Sequence, residues 1–193
     1  NDPPIDRSSA LAPQPLTISA TDPSLSVTGA PSFGALSVVE ASDVGGSDSV
    51  TISAPSYSFD AVDGATAAVS YNLALSGGAA TGLQTTDGNH AISLVQVNAT
   101  TINGVYNGGQ VAFTVALVGN QVTLTSLVAL EHANGPQNTE DNSLDLGSLI
   151  NVVATVTVTD GDNDQVIDSS SAVAPLSLTI SDTDPSLSVT GAP

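Results

Sequence analysis

The sequence predicts an all-β protein, an Ig-like or Greek-key β-sandwich that forms one unit of a tandem array. Polar and apolar residues alternate over many short segments, and turn signals recur about every ten residues. The apolar residues are mainly Val, Leu, Ile and Ala among many Thr, Ser and Gly, which favours strands. Near both ends the chain also carries the same eleven residues. A closed antiparallel barrel is the alternative architecture.

The repeated segment is TDPSLSVTGAP, which occupies residues 21–31 and again 183–193. The match extends backwards without a gap, so that residues 1–31 and 163–193 differ at seven positions only. The period of 162 residues is far longer than the ~20–50 residues of solenoid repeats, so each unit should have its own core. The alternative is an internal duplication of a short hairpin.

The repeat also suggests domain boundaries, although it fixes the period rather than the phase. We expect residues 1–21 to hold the last strand and junction of a preceding repeat, 22–183 a complete repeat, and 184–193 the start of the next. A unit that borrows strands across the boundary is the alternative.

The alternation predicts ten strands, and the longest runs over residues 66–76 (TAAVSYNLALS), as expected of a half-buried strand. Gly119-Asn120 separates two apolar runs in the manner of a tight hairpin. The segment 131–148 (EHANGPQNTEDNSLDLGS) contains Gly135-Pro136 and is predicted to be a long loop. No segment has a convincing helical pattern. The predicted strands are 24–28, 35–40, 49–53, 66–76, 91–98, 100–106, 111–118, 122–130, 150–159 and 176–181.

Charge restricts the partners of this chain. It has nineteen acidic residues and one basic residue, Arg7, which gives a net charge of −18. Repulsion between these charges opposes folding, and it disfavours binding to nucleic acid or to anionic membrane surfaces. Metal cations or high salt remain as the means of neutralising this negative charge. The alternative explanation of the charge is a marine or halophilic setting, in which an acidic surface keeps the protein soluble. With no cysteine the chain forms no disulfide, so calcium, which binds oxygen ligands, is the expected stabiliser.

The densest acidic segment is TDGDNDQVID at residues 159–168, directly after a predicted strand. Asp160, Asp162 and Asp164 are three carboxylates within five residues. They repel one another unless a cation lies between them. We therefore predict a calcium-binding loop here, and a solvated acidic turn is the alternative.

Other residues of this segment define what kind of loop it is. Gly161 and Asn163 both tolerate positive φ, which allows the loop to curl. The loop differs from an EF-hand, because position six is Gln165 instead of Gly and position twelve is Ser171 instead of Glu.

A second acidic cluster lies in ISDTDPSL, where Asp182 and Asp184 precede Pro185. In the earlier copy the corresponding acidic positions hold Ala20 and Asp22. Proline stiffens the chain and keeps the preceding residue extended, as suits a junction between domains. Calcium bound there would restrict the rotation of neighbouring domains, and an acidic turn is again the alternative.

Further acids can supply a distant ligand to either cluster, although each alone is more typical of an ordinary loop. These candidate ligands are Asp22, from the earlier copy of the junction, and Glu40, Asp43, Asp60 and Asp63.

Catalysis has little support in the sequence, and we predict that the domain is not an enzyme. His90 and His132 are the only histidines, a thiol nucleophile is absent, and no Gly-x-Ser-x-Gly motif occurs. Three Phe, three Tyr and no Trp offer little surface for stacking a sugar. An enzyme would need a cleft that brings one histidine close to an acid.

The ordered motifs TVTDGDND, LSLTIS, the acidic proline junction and SLSVTG resemble the extender repeats of giant RTX adhesins, which bacteria export by type I secretion. The central run from GLQTTDGNHAISL to LVALEH is similar as well. The resemblance implies β-sandwich domains in long arrays, stiffened by calcium. It implies as ligands Asp160, Asp162, Asp164, Asp182 and Asp184.

The chain departs from the family pattern in two places. Asn163 stands where the family often has Gly, and the junction is Asp182-Thr183-Asp184-Pro185 where Asp-Asp-Gly-Pro is common.

The function that the resemblance implies is that of a non-catalytic extender, located outside the cell on the bacterial surface. Such a module projects distal binding domains away from the cell. Its expected partners are neighbouring copies of the same repeat and calcium ions, and the isolated domain is expected to be monomeric. The alternative is a calcium-dependent adhesin module that itself binds a sugar or a protein.

Overall fold

A computed structural model describes residues 21–39, 45–131, 144–146, 149–169 and 172–181, and the structural statements below concern these residues. Fifteen strands and one 3₁₀ turn at Val62–Gly64 make up this part of the chain. The strands are β1 (Leu25–Val27), β2 (Leu36–Val39), β3 (Ser47–Thr51), β4 (Tyr57–Phe59), β5 (Thr66–Leu75), β6 (Ala80–Gln84), β7 (Ala91–Asn98), β8 (Thr101–Tyr106), β9 (Gln110–Val118), β10 (Gln121–Ser126), β11 (Leu144–Asp145), β12 (Ile150–Thr159), β13 (Gln165–Asp168), β14 (Val173–Pro175) and β15 (Leu178–Ser181).

One layer is a six-stranded antiparallel sheet with the order β3-β10-β9-β8-β7-β6. Its strands β7 to β10 follow one another along the chain, since short turns connect them. The hairpin between β9 and β10 pairs Val118 with Gln121 around Gly119-Asn120, as the sequence predicts. The positive φ of Gly119, 61°, fits such a tight connection.

The facing layer is built around β12. This strand pairs with β5 over its whole length, and with β13 and β14 along its other edge. Beside it, β15 pairs with β11 and, in parallel, with β2. The short strands β1 and β4 pair with each other.

Two clusters of buried side chains lie between these elements. The main core joins the six-stranded sheet to β2, β5, β12 and β15, and Phe113 is its largest fully buried side chain. A smaller core contains Val27, Ala154, Val156 and Ala172. The predicted all-β sandwich is thereby confirmed.

All ten predicted strands are present, β7 and β12 with the predicted bounds and the other eight with shifted ends, whereas β4, β6, β11, β13 and β14 were not predicted. These five are short, and several contain Ser, Gly or Pro, so their own pattern is weak. Strand β11 corrects the prediction of a loop over 131–148, because Leu144 pairs with Ile180 of β15. Residues 132–143 and 147–148 lie outside the described residues.

Both ends of the described chain pair within the same fold. Strand β1 pairs with β4, and β15 pairs with β2, so the segments that begin and end the proposed repeat 22–183 belong to one packed unit. Residues 1–20 and 182–193 lie outside the described residues, and the phase of the repeat stays a prediction. In the described ranges, no helix has the length and apolarity needed to cross a membrane.

Candidate metal centre

The inward face of β12 continues into the acidic loop. Along this strand every second side chain is buried, from Ile150 to Val158, and the next inward position is Asp160. Asp160 is 6% exposed, and among the described residues it is the only buried charged side chain. A carboxylate therefore occupies a position where the alternation of buried and exposed residues along β12 predicts an apolar side chain.

The two carboxylate oxygens of Asp160 have different surroundings. Oδ1 accepts a hydrogen bond of 2.9 Å from the backbone N–H of Asp164. Oδ2 is buried and has no hydrogen-bond partner among the described residues. Burying an ionised carboxylate oxygen without a partner is costly, and Arg7 is the only Lys or Arg in the chain. Within the part of the chain that the structure describes, Oδ2 thus has neither a Lys or Arg side chain nor a hydrogen-bond donor to compensate it.

The loop turns back on itself after Asp160. The N–H of Asn163 donates to the carbonyl of Asp160 at 3.3 Å, and the N–H of Asp160 donates to the carbonyl of Asp164 at 3.2 Å. Asn163 has a φ of 75°, in the left-handed region that Asn tolerates, as the sequence indicates. Consequently one carboxylate oxygen from each of Asp160, Asp162 and Asp164 lies within 4.8 Å of the other two.

Gly161 has a different role from the one predicted. It is not among the residues with positive φ. A Cβ at this position would lie 2.6 Å from the carbonyl oxygen of Asp63 and 3.1 Å from its Oδ2. The glycine is needed because the Asp63 segment approaches the loop closely, and no local sequence pattern reveals that contact.

The carboxylates influence one another's protonation. The pKa of Asp162 is raised, first by a side-chain hydrogen bond with Asp160, then by desolvation and by repulsion from Asp160 and Asp164. A carboxyl with a raised folded-state pKa favours folding at low pH, and this contribution is lost as the pH rises through that pKa. At neutral pH the metal-free loop is therefore a source of repulsion that a cation removes.

Two of the distant candidate ligands lie beside this loop. Asp63, in the 3₁₀ turn before β5, brings its carbonyl and carboxylate oxygens against Gly161. Asp22, at the entry to β1, lines an open cleft of about 380 Å³ together with Asp164. The sequence suggested Asp63 as a possible distant ligand and Asp22 as the acid of the earlier junction copy, and the pairing of distant segments brings both beside the loop.

The remaining candidates are not joined to the cluster by any described contact. Asp60 directly follows β4, and its N–H donates to the carbonyl of Ser24 at 3.2 Å. Asp60 therefore lies beside the start of β1. Glu40, Asp43, Asp182 and Asp184 lie outside the described residues, and their role as ligands stays a prediction.

A second cavity, which the sequence did not reveal, lies between the β6–β7 and β8–β9 turns and has a volume of about 390 Å³. The rings of His90 and Tyr106 stack there, with centroids 6.1 Å apart and planes inclined by 29°. Asp87 also lines this cavity, so one histidine does share a cleft with an acid. The turn signal Asn107-Gly108-Gly109 is visible in the sequence, but its proximity to the β6–β7 turn is not.

Comparison with known proteins adds one finding. No curated protein and no solved structure gave a match to the chain. A family model described as "Domain of unknown function (DUF5801)" matches residues 35–172. This range includes β2 to β13 and the loop with Asp160, Asp162 and Asp164. Because it covers more than two thirds of the sequence, the chain belongs to this domain family.

Proposed function

We propose that the protein is a non-catalytic, calcium-stabilised extender module of a long bacterial surface adhesin. The observation that carries this proposal is the buried Asp160 carboxylate, whose Oδ2 has no hydrogen-bond partner among the described residues and which lies in a loop with two further carboxylates. A cation bound there would satisfy Oδ2 and remove the mutual repulsion of the three aspartates.

Calcium fits the donor set better than other metals do. The three clustered ligands are all carboxylates, and no histidine or cysteine belongs to the cluster, which disfavours zinc and the softer transition metals. Two oxygens bound to one calcium ion at about 2.3–2.6 Å lie no more than about 5 Å apart. Calcium takes about six to eight oxygen ligands, and Asp63, whose oxygens lie against Gly161, is an additional source of them.

The position of the loop supports a role in an array. Asp22 and Pro23, at the entry to β1, line a cleft with Asp164, Gln165 and Val166 of the loop region. The same Asp-Pro pair recurs as Asp184-Pro185, one period later. In an array, each junction would therefore approach the metal loop of the following repeat, and a bound ion would stiffen the junction as well as the domain.

The proposed setting is the bacterial cell surface, where calcium is available and no disulfide is needed. Extracellular calcium modules bind with dissociation constants of about 10⁻⁴–10⁻³ M, so millimolar calcium would stabilise the fold by mass action. The proposed partners are neighbouring copies of the repeat and calcium. The charge of −18 disfavours nucleic acid and anionic membranes, and the isolated domain is proposed to be monomeric.

A second candidate function is that of a module that itself binds a sugar or a protein, and the cavity at His90 and Tyr106 favours it. That cavity contains none of the clustered aspartates and has a single carboxylate, Asp87. The geometry therefore supports binding there without a calcium ion in the site.

The test is a thermal melt of the full chain in EDTA and in a few millimolar calcium, followed by circular dichroism. We expect calcium to raise the melting temperature by about 2–8 °C, since a few millimolar calcium at a dissociation constant of about 10⁻⁴–10⁻³ M contributes about 1–2 kcal/mol for one site. Magnesium at the same concentration should give a smaller rise, because it demands stricter geometry and keeps its waters.

Two variants identify the site. Asp160→Asn keeps the shape of the side chain and removes the buried charge, so it should melt in EDTA no lower than the parent and lose most of the calcium effect. Asp87→Asn makes the same charge change outside the loop and should keep the full rise. A parent melt that calcium leaves unchanged would mean that the loop is a solvated acidic turn, and the proposal would be wrong.

A further inference from the structure

The cavity between the β6–β7 and β8–β9 turns has the features of a ligand site in its own right. Its volume of about 390 Å³ falls in the range of small-molecule pockets, ~300–1,000 Å³. Its lining combines ring faces, amides, hydroxyls, one carboxylate and an apolar base. The lining residues are Thr85, Thr86, Asp87, His90, Tyr106, Asn107, Gln110, Val128 and Ala129.

One wall is a turn that a buried threonine holds in shape. Thr85 is 2% exposed, and its Oγ1 donates to the carbonyl of Asp87 at 2.8 Å while accepting from the N–H of His90 at 3.2 Å. The N–H of Thr85 also donates to the carbonyl of His90 at 3.0 Å. The turn is thereby fixed before any ligand arrives, which lowers the entropy cost of binding.

Gly88 allows the imidazole to lie over this turn. Its φ is 76°, and a Cβ there would lie 2.8 Å from Nε2 of His90. The ring is thus held against the backbone of the turn, where it stacks with the ring of Tyr106.

The other wall is the β8–β9 turn. Tyr106 ends β8, pairs in register with Gln110 and accepts a hydrogen bond from the N–H of Gly109 at 3.0 Å. Its ring packs partly against the main core, so its position is fixed. Asn107, with a φ of 42°, and Gln110 are exposed at the rim of the cavity.

Several polar groups at the rim are available to a ligand. Among the described residues, no side chain hydrogen-bonds to the amides of Asn107 and Gln110 or to the hydroxyl of Tyr106. Val128 and Ala129 supply an apolar surface between these groups. The chain has only six aromatic residues and two histidines, yet one of each faces the other here.

We propose that this cavity binds a neutral carbohydrate, with one sugar ring lying beside the stacked pair of His90 and Tyr106 rings. Ring faces attract the C–H groups of a sugar, and amides, a carboxylate and hydroxyls pair with its hydroxyls. An anionic ligand is disfavoured by Asp87 and by the net charge of −18. This inference goes beyond the extender role, because it gives the module a binding site of its own that needs no metal.

The test is a titration of the ¹⁵N-labelled full chain, in constant millimolar calcium, with D-glucose, D-galactose, D-mannose and N-acetyl-D-glucosamine, followed by NMR chemical shifts. At least one sugar should shift the amides of residues 85–90 and 106–110 with saturation. Gln110→Ala, which removes an exposed amide, should weaken that binding about three- to tenfold, the worth of one hydrogen bond.

Gln121→Ala is the matched control, because Gln121 is exposed on β10 of the same sheet and away from the cavity lining. It should leave the affinity unchanged. Tyr106→Phe keeps the packed ring and removes only the hydroxyl, so a weaker affinity for this variant supports the site without risk to the fold.

Three results would overturn the proposal. The first is the absence of saturable chemical-shift changes with all four sugars. The second is an equal loss of affinity in Gln110→Ala and Gln121→Ala. The third is a stronger shift of the amides of residues 85–90 and 106–110 with Nα-acetyl-lysine amide than with any sugar. The last result would mark the cavity as a site for a cationic side chain.

Discussion

At the scale of single residues, Asp160 decides the character of the loop. The alternation of β12 places this side chain on the buried face, and the loop geometry leaves its Oδ2 without a donor. The chain could have satisfied Oδ2 internally only with a cation or a suitably placed N–H or O–H. An acid at an inward position is therefore more informative than the number of acids in the loop.

The first residue-scale prediction concerns Gly161. Gly161→Ala places a Cβ 2.6 Å from the carbonyl oxygen of Asp63, so backbone on one side must move. We expect a loss of about 1–3 kcal/mol in the free energy of unfolding, a fall of a few °C in melting temperature, and weaker calcium binding.

Gly78→Ala is the control, because a Cβ there meets no atom within 4 Å and its φ is not in the positive region. Melts of both variants with and without calcium make the comparison. Equal melting temperatures for Gly161→Ala and Gly78→Ala would show that the Asp63 segment does not press on the loop.

At the scale of elements, β12 connects the two cores to the acidic loop. Its residues Ile150 and Val152 pack in the main core, Ala154 and Val156 in the smaller one, and Asp160 follows at the end. Full-length pairing with β5 holds the strand in register. If the pairing of β12 with β5 shifted by one residue, the two faces of β12 would be exchanged and Asp160 would point outward. The register of this strand pair therefore positions the candidate metal ligand Asp160.

An element-scale prediction concerns the pairing of β8 with β9. Gly104 lies opposite Phe113 in register, and a Cβ at position 104 would overlap the Phe113 ring, which is fully buried. Gly104→Ala should therefore destabilise the protein by about 1–3 kcal/mol, measured by chemical denaturation.

A double-mutant cycle with Phe113→Leu tests the cause. The smaller side chain removes the overlap, so the double variant should be more stable than the sum of the two single effects by about 0.5–3 kcal/mol. Additive effects would mean that Gly104 is required for a reason other than the ring.

At the scale of the whole molecule, charge is the dominant property. A net charge of −18 on 193 residues with one basic side chain leaves the fold dependent on neutralisation from outside. The acidic residues differ in their hydrogen bonds. The carboxylate of Asp48, for example, accepts hydrogen bonds from the backbone N–H groups of Ser37 at 2.9 Å and Ser49 at 2.8 Å. The acidic loop is distinguished from such acids by Oδ2 of Asp160, which is buried and has no hydrogen-bond partner among the described residues.

The whole-molecule prediction concerns a chain in which residues 22–183 occur twice in succession, which restores the Thr-Asp-Pro junction. Small-angle scattering in calcium should show a narrow distribution of distances between the two domains, because the ions restrict rotation at the junction. Asp182→Asn in the first copy should broaden that distribution while leaving the melting temperature unchanged. A distribution that the substitution does not alter would contradict a calcium ion at the junction.

The sequence by itself determined the fold class, because the alternation of polar and apolar residues is a local pattern. It also determined the spacing of 162 residues between the two copies of the repeated segment, because their identity is visible without any structure. It also located the acidic loop, since Asp160, Asp162 and Asp164 lie within five consecutive residues. No other segment of the chain is needed to bring these carboxylates close together. The short strands β4, β6, β11, β13 and β14 escaped prediction because their stability comes from their partners.

Only the tertiary structure decided what surrounds these local features. Asp63 and Asp22 reach the loop, and His90 meets Tyr106, through the pairing of strands that lie far apart or in separate hairpins. The physical reason is that periodicity tells which face of a strand is buried, whereas the choice of partner and register depends on the packing of the whole core.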